Sequence, residues 1–410
     1  MVRILEKPEL GPFISPQRNQ HIPIHNWYTF KHGYSRDLAV NLIANLDLFE
    51  GSWVLDPFCG SGTTLLTCKE FGINSRGFDI LPFSVYLSNV KIGDYHDREL
   101  ARELDLLRNN SDTYCRRTEL PDIPLLNKAF EPGIKNELLL LKEKIEAIYD
   151  PQIRSFFNLG FLSILESVSK TSKAGGFLRI VERDVSPSII QSKFLTKLAS
   201  MINDVTESND SKKYKRVSSL AKIGDARSIP TNRKFDAVIT SPPYPNRHDY
   251  TRIYSLEMVF DFVSSNEELK KIRYDTIRSH VEAKRKYQAS GYKKPHILDR
   301  LISEVKRNGT NNPRVIEMLE GYFEDMYLCL SEISRCLKQN GRVAFVISNV
   351  RFAGVNILVD EILSDIGSQV GLSTREIWAV RYRGNSSQQM RYYGRKPSRE
   401  SIIIWEKDAY

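Results

Sequence analysis

Two short segments carry residue types that could act together on one ligand pair. The first is Asp56-Pro57-Phe58-Cys59-Gly60-Ser61-Gly62-Thr63-Thr64, and the second is Ser241-Pro242-Pro243-Tyr244. Each follows a run with buried-strand character, Trp53-Val54-Leu55 and Phe235-Asp236-Ala237-Val238-Ile239. In the first, Gly60 and Gly62 permit a tight bend and let a ligand lie against bare backbone, with helix N-terminal amides pointing at it. Asp79 ends the next strand pattern, where a carboxylate can accept both hydroxyls of a ribose. These features predict a nucleoside-containing cofactor. A dinucleotide fingerprint would put its third glycine at position 65, where Leu65 stands, so NAD is disfavoured.

The second segment points to the other reactant. Its two prolines stiffen the backbone and give up two N–H donors, leaving carbonyls free as acceptors. A rigid acceptor pair beside an aromatic face suits a planar ring bearing an exocyclic amino group. The Ser241 oxygen and a proline carbonyl can take the two amino hydrogens, while Tyr244 stacks on the ring. Because this segment follows a buried strand, its groups are expected at the carboxyl edge of the sheet, where open α/β folds bind ligands.

The elements that hold these turns alternate as α/β. Leu38, Leu42, Ile43 and Leu46 recur at helical spacing over 37–48, and a helix is expected over 65–71. Residues 1–25, with prolines at 8, 12, 16 and 23, read as an extended arm. Residues 91–216 read as a helical insertion, with Ser186 expected as an N-cap and 207–216 as a linker. The α/β pattern resumes at Ala221-Lys222-Ile223 and is interrupted again over 246–316. A helix over 316–337, a strand over 342–347 and a late antiparallel hairpin (375–382 with 401–405) complete it. The expected catalytic domain is therefore 26–90, 217–245 and 317–410.

Composition narrows the classes. The 410 residues are 41% hydrophobic, enough for a substantial core, and no run of apolar residues is long enough to span a membrane. The first ten residues do not read as a secretory signal. Five cysteines (Cys59, Cys68, Cys115, Cys329, Cys336) include no CxxC pair, which argues against a disulfide framework or a zinc site and for a reducing cytoplasm. No metal is expected. The chain carries 59 Lys plus Arg against 50 Asp plus Glu, net +9. Between Lys270 and Arg307 alone stand twelve basic residues against four acidic ones, +8, interleaved with Tyr274, Tyr287 and Tyr292. That segment leaves the second turn through Asn246-Arg247-His248-Asp249-Tyr250-Thr251-Arg252. Arg247, His248, Tyr250, Arg252, Lys284, Arg285 and Lys286 are the expected contacts to a polyanion.

Taken together, the two turns resemble those of the S-adenosylmethionine-dependent DNA amino-methyltransferases of the N4-cytosine and N6-adenine family. The 56–64 segment is similar to that family's cofactor loop, Asp79 to its ribose-binding acid, and Gly224-Asp225-Ala226 to the stretch flanking the adenine. Ser241 to Tyr244 resembles its catalytic motif, and the segment from Asn26-Trp27-Tyr28 to Ser35 resembles an upstream piece that closes the methionine pocket. The resemblance implies a Rossmann-like methyltransferase with a mostly parallel seven-stranded sheet. It implies cofactor contacts at Tyr28, Ser35, Asp56, Pro57, Phe58, Gly60, Gly62, Thr63, Thr64, Asp79, Ile80, Asp225 and Ala226, and catalysis at Ser241, Pro242, Pro243 and Tyr244. Serine at the first catalytic position is associated mainly with cytosine N4, aspartate or asparagine mainly with adenine N6.

The implied activity is therefore N4-cytosine methylation of duplex DNA by a prokaryotic or phage-encoded modification enzyme paired with a restriction nuclease. The alternatives are N6-adenine methylation, an inactive DNA-binding protein on the same fold, or methylation of RNA or protein. Cytosine C5 methylation needs a nucleophilic thiol, which that family presents after proline, and the sequence has no Pro-Cys dipeptide; Cys59 reads as a packing residue. Only fourteen positions separate Arg227 from Ser241, which leaves no room there for a recognition domain and moves target reading to 91–216, to 246–316 or to both.

Overall fold

The computed structural model describes residues 3–109, 120–211 without 122, 216–384 without 311, 394 and 397–409. The chain opens with strand β1 (Ile4–Glu6), helix α1 (Arg36–Asn45), β2 (Trp53–Asp56), α2 (Thr63–Glu70), β3 (Asn74–Asp79) and α3 (Pro82–Ile92). Next come α4 (Asp97–Asn109), α5 (Pro124–Ala129), α6 (Pro132–Glu146), α7 (Pro151–Ile164), a small hairpin β4 (Thr171–Ala174) and β5 (Phe177–Ile180), and α8 (Ile189–Asp210). The sheet resumes with β6 (Ser219–Ile223) and β7 (Phe235–Thr240), followed by α9 (Tyr250–Ile253), α10 (Ser255–Asp261), α11 (Asn266–Asp275), α12 (His296–Asn308) and α13 (Arg314–Cys336). Strands β8 (Leu337–Ser348), β9 (Val350–Phe352) and β10 (Val355–Ile357), helix α14 (Val359–Ser368), β11 (Leu372–Arg383) and β12 (Ser398–Lys407) end it.

The main sheet has eight strands in the order β1-β11-β12-β8-β7-β2-β3-β6. Among them only β12 runs antiparallel to its neighbours, β8 and β11. Seven strands follow the expected arrangement, and β1 is an addition at the edge, paired parallel to β11 through Ile4 and Ile377. Alternation along each strand feeds both faces. Val54, Ala237, Ile239, Ala344 and Ile404 pack with Leu38 and Leu42 of α1. Leu55, Val238, Val343, Phe345 and Trp405 pack under Leu319, Phe323 and Leu330 of α13. This two-sided burial is why the central strands read as continuous apolar runs. Chain order reverses between β2, which continues into β3, and β7, which continues into β8, so the two chemical turns leave the sheet side by side at its switch point.

Three expectations need correction. Residues 1–25 are not an extended arm: after β1 they form 3-10 turns at Pro8–Phe13 and Pro16–His21, because two of the prolines take first-turn positions and Leu10 and Ile14 bury against the α1 face. The linker at 207–216 begins later, since α8 runs to Asp210; residues 212–215 lie outside the described ones, as does Cys115. Ser186 accepts the Ile189 amide through its backbone carbonyl, and no side-chain cap forms at that helix start. Among the described residues, no helix is long and apolar enough to cross a membrane.

Candidate active site

The loop after β2 is shaped by packing on β3. The Cys59 amide donates to Phe78 O at 2.9 Å and the Gly62 amide to Cys59 O at 2.8 Å, with Gly60 and Gly62 at φ +48° and +74°. Cys59 itself is buried against Gly77, where a Cβ would stand 2.8 Å from its own, and burial pushes its thiol well above the usual range. It is a packing residue. Gly60 faces a cavity of about 870 Å³, and a Cβ on it would come 3.3 Å from the Phe30 ring. Gly62 differs from expectation: it is not among the cavity-lining residues, and a Cβ there would meet Ser88 Cα at 3.0 Å, so its glycine serves the contact with α3.

Asp56, Asp79, Asp225 and Glu400 line this cavity, and the first two flank the loop after β2. Asp56 accepts from Thr240 Oγ1 at 2.6 Å, Thr64 Oγ1 at 2.7 Å and the Phe58 amide at 3.2 Å, which ties the ends of β2 and β7 to the start of α2. Asp79 accepts from the amides of Gly60 at 3.0 Å and Leu81 at 2.9 Å. Burial pushes each up to about 6, against the pull of those hydrogen bonds. Both stay largely ionised at neutral pH, and the cavity thereby offers concentrated negative charge. Pro57, Phe58, Thr63, Ile80, Asp225 and Ala226 complete this wall. The Asp225 carboxylate is fixed by Arg227 (2.8 Å from Nη2) and by the Tyr287 hydroxyl at 2.9 Å. Burial would raise it, but Arg227 outweighs that and holds it below the usual carboxylate range.

Beside Asp56 the cavity is lined by Ser241, Pro242, Pro243 and Tyr244, with Ser241 Oγ 3.2 Å from the Tyr244 hydroxyl. His248 and Tyr250 also line it. His248 is packed edge-on against His32 at 5.2 Å, and burial, then the charge of Arg383, lower its pKa. His32 is pushed down to about 4, chiefly by burial. Tyr28 lines the cavity as well, although its hydroxyl is held by Glu257 at 2.7 Å and Lys173 at 2.8 Å. Ser35 is a correction: its hydroxyl caps α1 through the Leu38 amide and donates to Phe13 O, and it is not among the lining residues.

The remaining expected contacts lie outside the cavity lining. Arg247 is exposed at φ +68°, and Arg252 pairs with Asp249 at 3.2 Å. Lys284 lies over the Tyr274 ring, Arg285 pairs with Asp275 at 3.3 Å and Lys286 with Glu317 at 3.1 Å. The net +8 of 270–307 is partly answered by acids outside that segment, since Lys286 pairs with Glu317, Arg278 with buried Asp325 and Lys294 with Glu320. Sequence reasoning missed Phe30, His32, Tyr34, Arg381, Arg383 and Glu400. The first three sit in a segment resembling a pocket-closing piece and were within reach. Arg381, Arg383 and Glu400 reach the cavity from the late hairpin and carry no local signal.

These residues fit S-adenosylmethionine: a large cavity with aromatic walls and two ionised carboxylates suits a ligand bearing positive charge, ribose hydroxyls and a flat ring. Among the described residues, no group of three or more His, Cys, Asp or Glu could hold a metal ion. A family model described as DNA methylase, of the N6/N4 type, matches residues 16–89. The chain is 33% identical to a type II methyltransferase, M.BsoBI of Geobacillus stearothermophilus, over 99% of its own length and 90% of the relative's. It is 31% identical to M.AvaI of Anabaena variabilis, over 96% and 88% respectively. Among solved structures, the rRNA methyltransferase aviRa of Streptomyces viridochromogenes overlaps 95% of this chain and 92% of its own at 9% identity and a TM-score of 0.34. That likeness is too loose to add to the strand order.

Proposed function

The chain belongs to the N6/N4 family of DNA methyltransferases, with S-adenosylmethionine as methyl donor, and on that premise we propose that it methylates the exocyclic N4 of a cytosine flipped out of duplex DNA. In this reading it is the modification enzyme of a restriction–modification pair, working in a prokaryotic cytoplasm beside an endonuclease that cuts the same site. The bound cofactor supplies an electrophilic sulfonium methyl. Asp79 would take the ribose hydroxyls, Asp56 would add negative charge to the site, and Gly60 would let the ligand lie against backbone.

The carrying observation is that Ser241 Oγ stands 3.2 Å from the Tyr244 hydroxyl at the end of β7, on the cavity that Asp56 and Asp79 line. If Ser241 donates to Tyr244, its lone pairs stay free to accept an amino hydrogen. A proline carbonyl accepts the other. A pyrimidine amino nitrogen is a poor nucleophile because its lone pair is delocalised into the ring. Two fixed acceptors draw its hydrogens out of plane and stabilise the positive charge that grows on it. Burial lowers the pKa of both His32 and His248 on the wall of this cavity, which favours their neutral forms. Ser241→Ala should lower turnover on DNA and leave cofactor affinity near that of the parent. Equal losses in both would assign Ser241 to the cofactor instead.

A further inference from the structure

Beyond the Lys173 contact to Tyr28, the β4–β5 hairpin has no part in the site above. It interrupts the helical insertion and turns through Gly175 and Gly176, with Ala174 paired to Phe177. Gly175 sits at φ +60° and lines the cavity. Gly176 is where the hairpin meets the loop after the Ser-Pro-Pro-Tyr turn. A Cβ there would stand 2.9 Å from His248 Cδ2 and 3.2 Å from His248 Cα, and the Asp249 amide donates to Gly176 O at 3.4 Å. Backbone therefore rides on backbone at the cavity rim.

A two-stranded hairpin is marginal by itself, and this one is held at its base. The Lys173 ammonium is buried, 2.6 Å from Glu257 Oε1 and 2.8 Å from the Tyr28 hydroxyl. Thr171 bonds to Ser169, and Arg183 donates to Ser169 O at 2.8 Å. Leu178 packs on the helical core. Phe177 and Ile180 do not: they are 53% and 55% exposed, on a strand that also exposes Arg179. The anchor does not need these side chains, yet it holds an aromatic ring beside the rim through which a base must enter.

We propose that Phe177 is a wedge that enters the duplex as the target base leaves it, with Arg179 facing the phosphates. This rests on the reading that the substrate is a base flipped from duplex DNA. Extruding a base costs stacking and pairing, and apolar side chains inserted at a base step offset that cost. An aromatic ring is sequence-tolerant in this role because every base has a π-face.

The test first maps the position methylated in unmodified plasmid DNA. It then uses an oligonucleotide duplex around that position, with 2-aminopurine next to the target base. A second duplex carries an abasic site opposite the target. Phe177→Ala should reduce the 2-aminopurine rise and slow methylation of the paired duplex about tenfold, while the abasic duplex is methylated near the parental rate. Phe177→Trp should restore the paired duplex, and cofactor affinity should be unchanged in both variants. Parental behaviour of Phe177→Ala on the paired duplex overturns the proposal. So does an equal loss on both duplexes, or a loss of cofactor affinity, which would make the hairpin a wall of the pocket. Failure of the parent protein to methylate any DNA would overturn the underlying reading, a result distinguishable from all of these.

Discussion

Replacing Asp56 with asparagine separates what the fold requires of this residue from what the cofactor requires. Asp56 is 4% exposed, and burial raises its carboxyl from 3.8 to about 6 despite three hydrogen bonds. The unfolded chain loses this proton near 3.8, whereas the folded chain keeps it to about 6. Between those values the folded state binds more protons, so this group's contribution to stability falls as pH rises through the window. At about 1.4 kcal/mol per pH unit, the ionised carboxylate costs the fold about 3 kcal/mol at neutral pH relative to acid. Asparagine does not titrate. Urea unfolding of both proteins from about pH 4 to about pH 7 should therefore show the stability difference moving about 2 kcal/mol in favour of Asp56→Asn, whatever its starting value, since the unfolded carboxyl is already partly ionised at the acid end. Parallel curves would refute the reasoning. Calorimetric affinity for S-adenosylmethionine at neutral pH should fall in the same variant, because a neutral amide offers no charge to a cationic ligand.

Three further outcomes follow from the same site. Gly62→Val should lower the melting temperature as well as cofactor affinity, because its side chain meets Ser88 Cα in α3 and φ is +74°; unaltered melting would return the effect to the ligand cavity. Cofactor affinity of the parent, measured by calorimetry, should weaken as pH falls through about 6, where burial places the Asp79 titration, and Asp79→Asn should bind more weakly with a flatter profile. Replacing Lys284, Arg285 and Lys286 together with alanine should flatten the salt dependence of DNA binding by only about one unit of slope, since Arg285 and Lys286 already answer Asp275 and Glu317. A drop near three would mean that these side chains release their acids to reach phosphates.

Both turns were legible because each combines a buried strand, a backbone-limited bend and polar groups, and all three leave local marks in sequence. The late hairpin was legible from its strands alone, through the apolar residues of Ile377–Val380 and Ile402–Trp405. Proline alone does not distinguish an extended arm over 1–25 from the 3-10 turns that Pro8 and Pro16 start, and nothing near Ile4 reveals a partner at Ile377. Gly62 had the right residue type for the wrong neighbour, since closeness to Ser88 is a tertiary fact. Charge counting overstated the basic insertion because Glu317, Glu320, Glu324 and Asp325, which answer it, lie on α13, outside the counted segment. The hairpin tip on His248 joins two segments more than seventy residues apart and was invisible for the same reason.

The most direct test of the central claim is the chemical identity of the product. Unmodified duplex DNA is incubated with the protein and methyl-labelled S-adenosylmethionine, digested to nucleosides and separated by chromatography with mass detection. The account predicts label in N4-methyldeoxycytidine, and its disappearance when S-adenosylmethionine is omitted or when Ser241→Ala replaces the parent. Label found in N6-methyldeoxyadenosine instead would contradict the assignment of Ser241 to cytosine, and an absence of label in any nucleoside would contradict DNA methylation by this site.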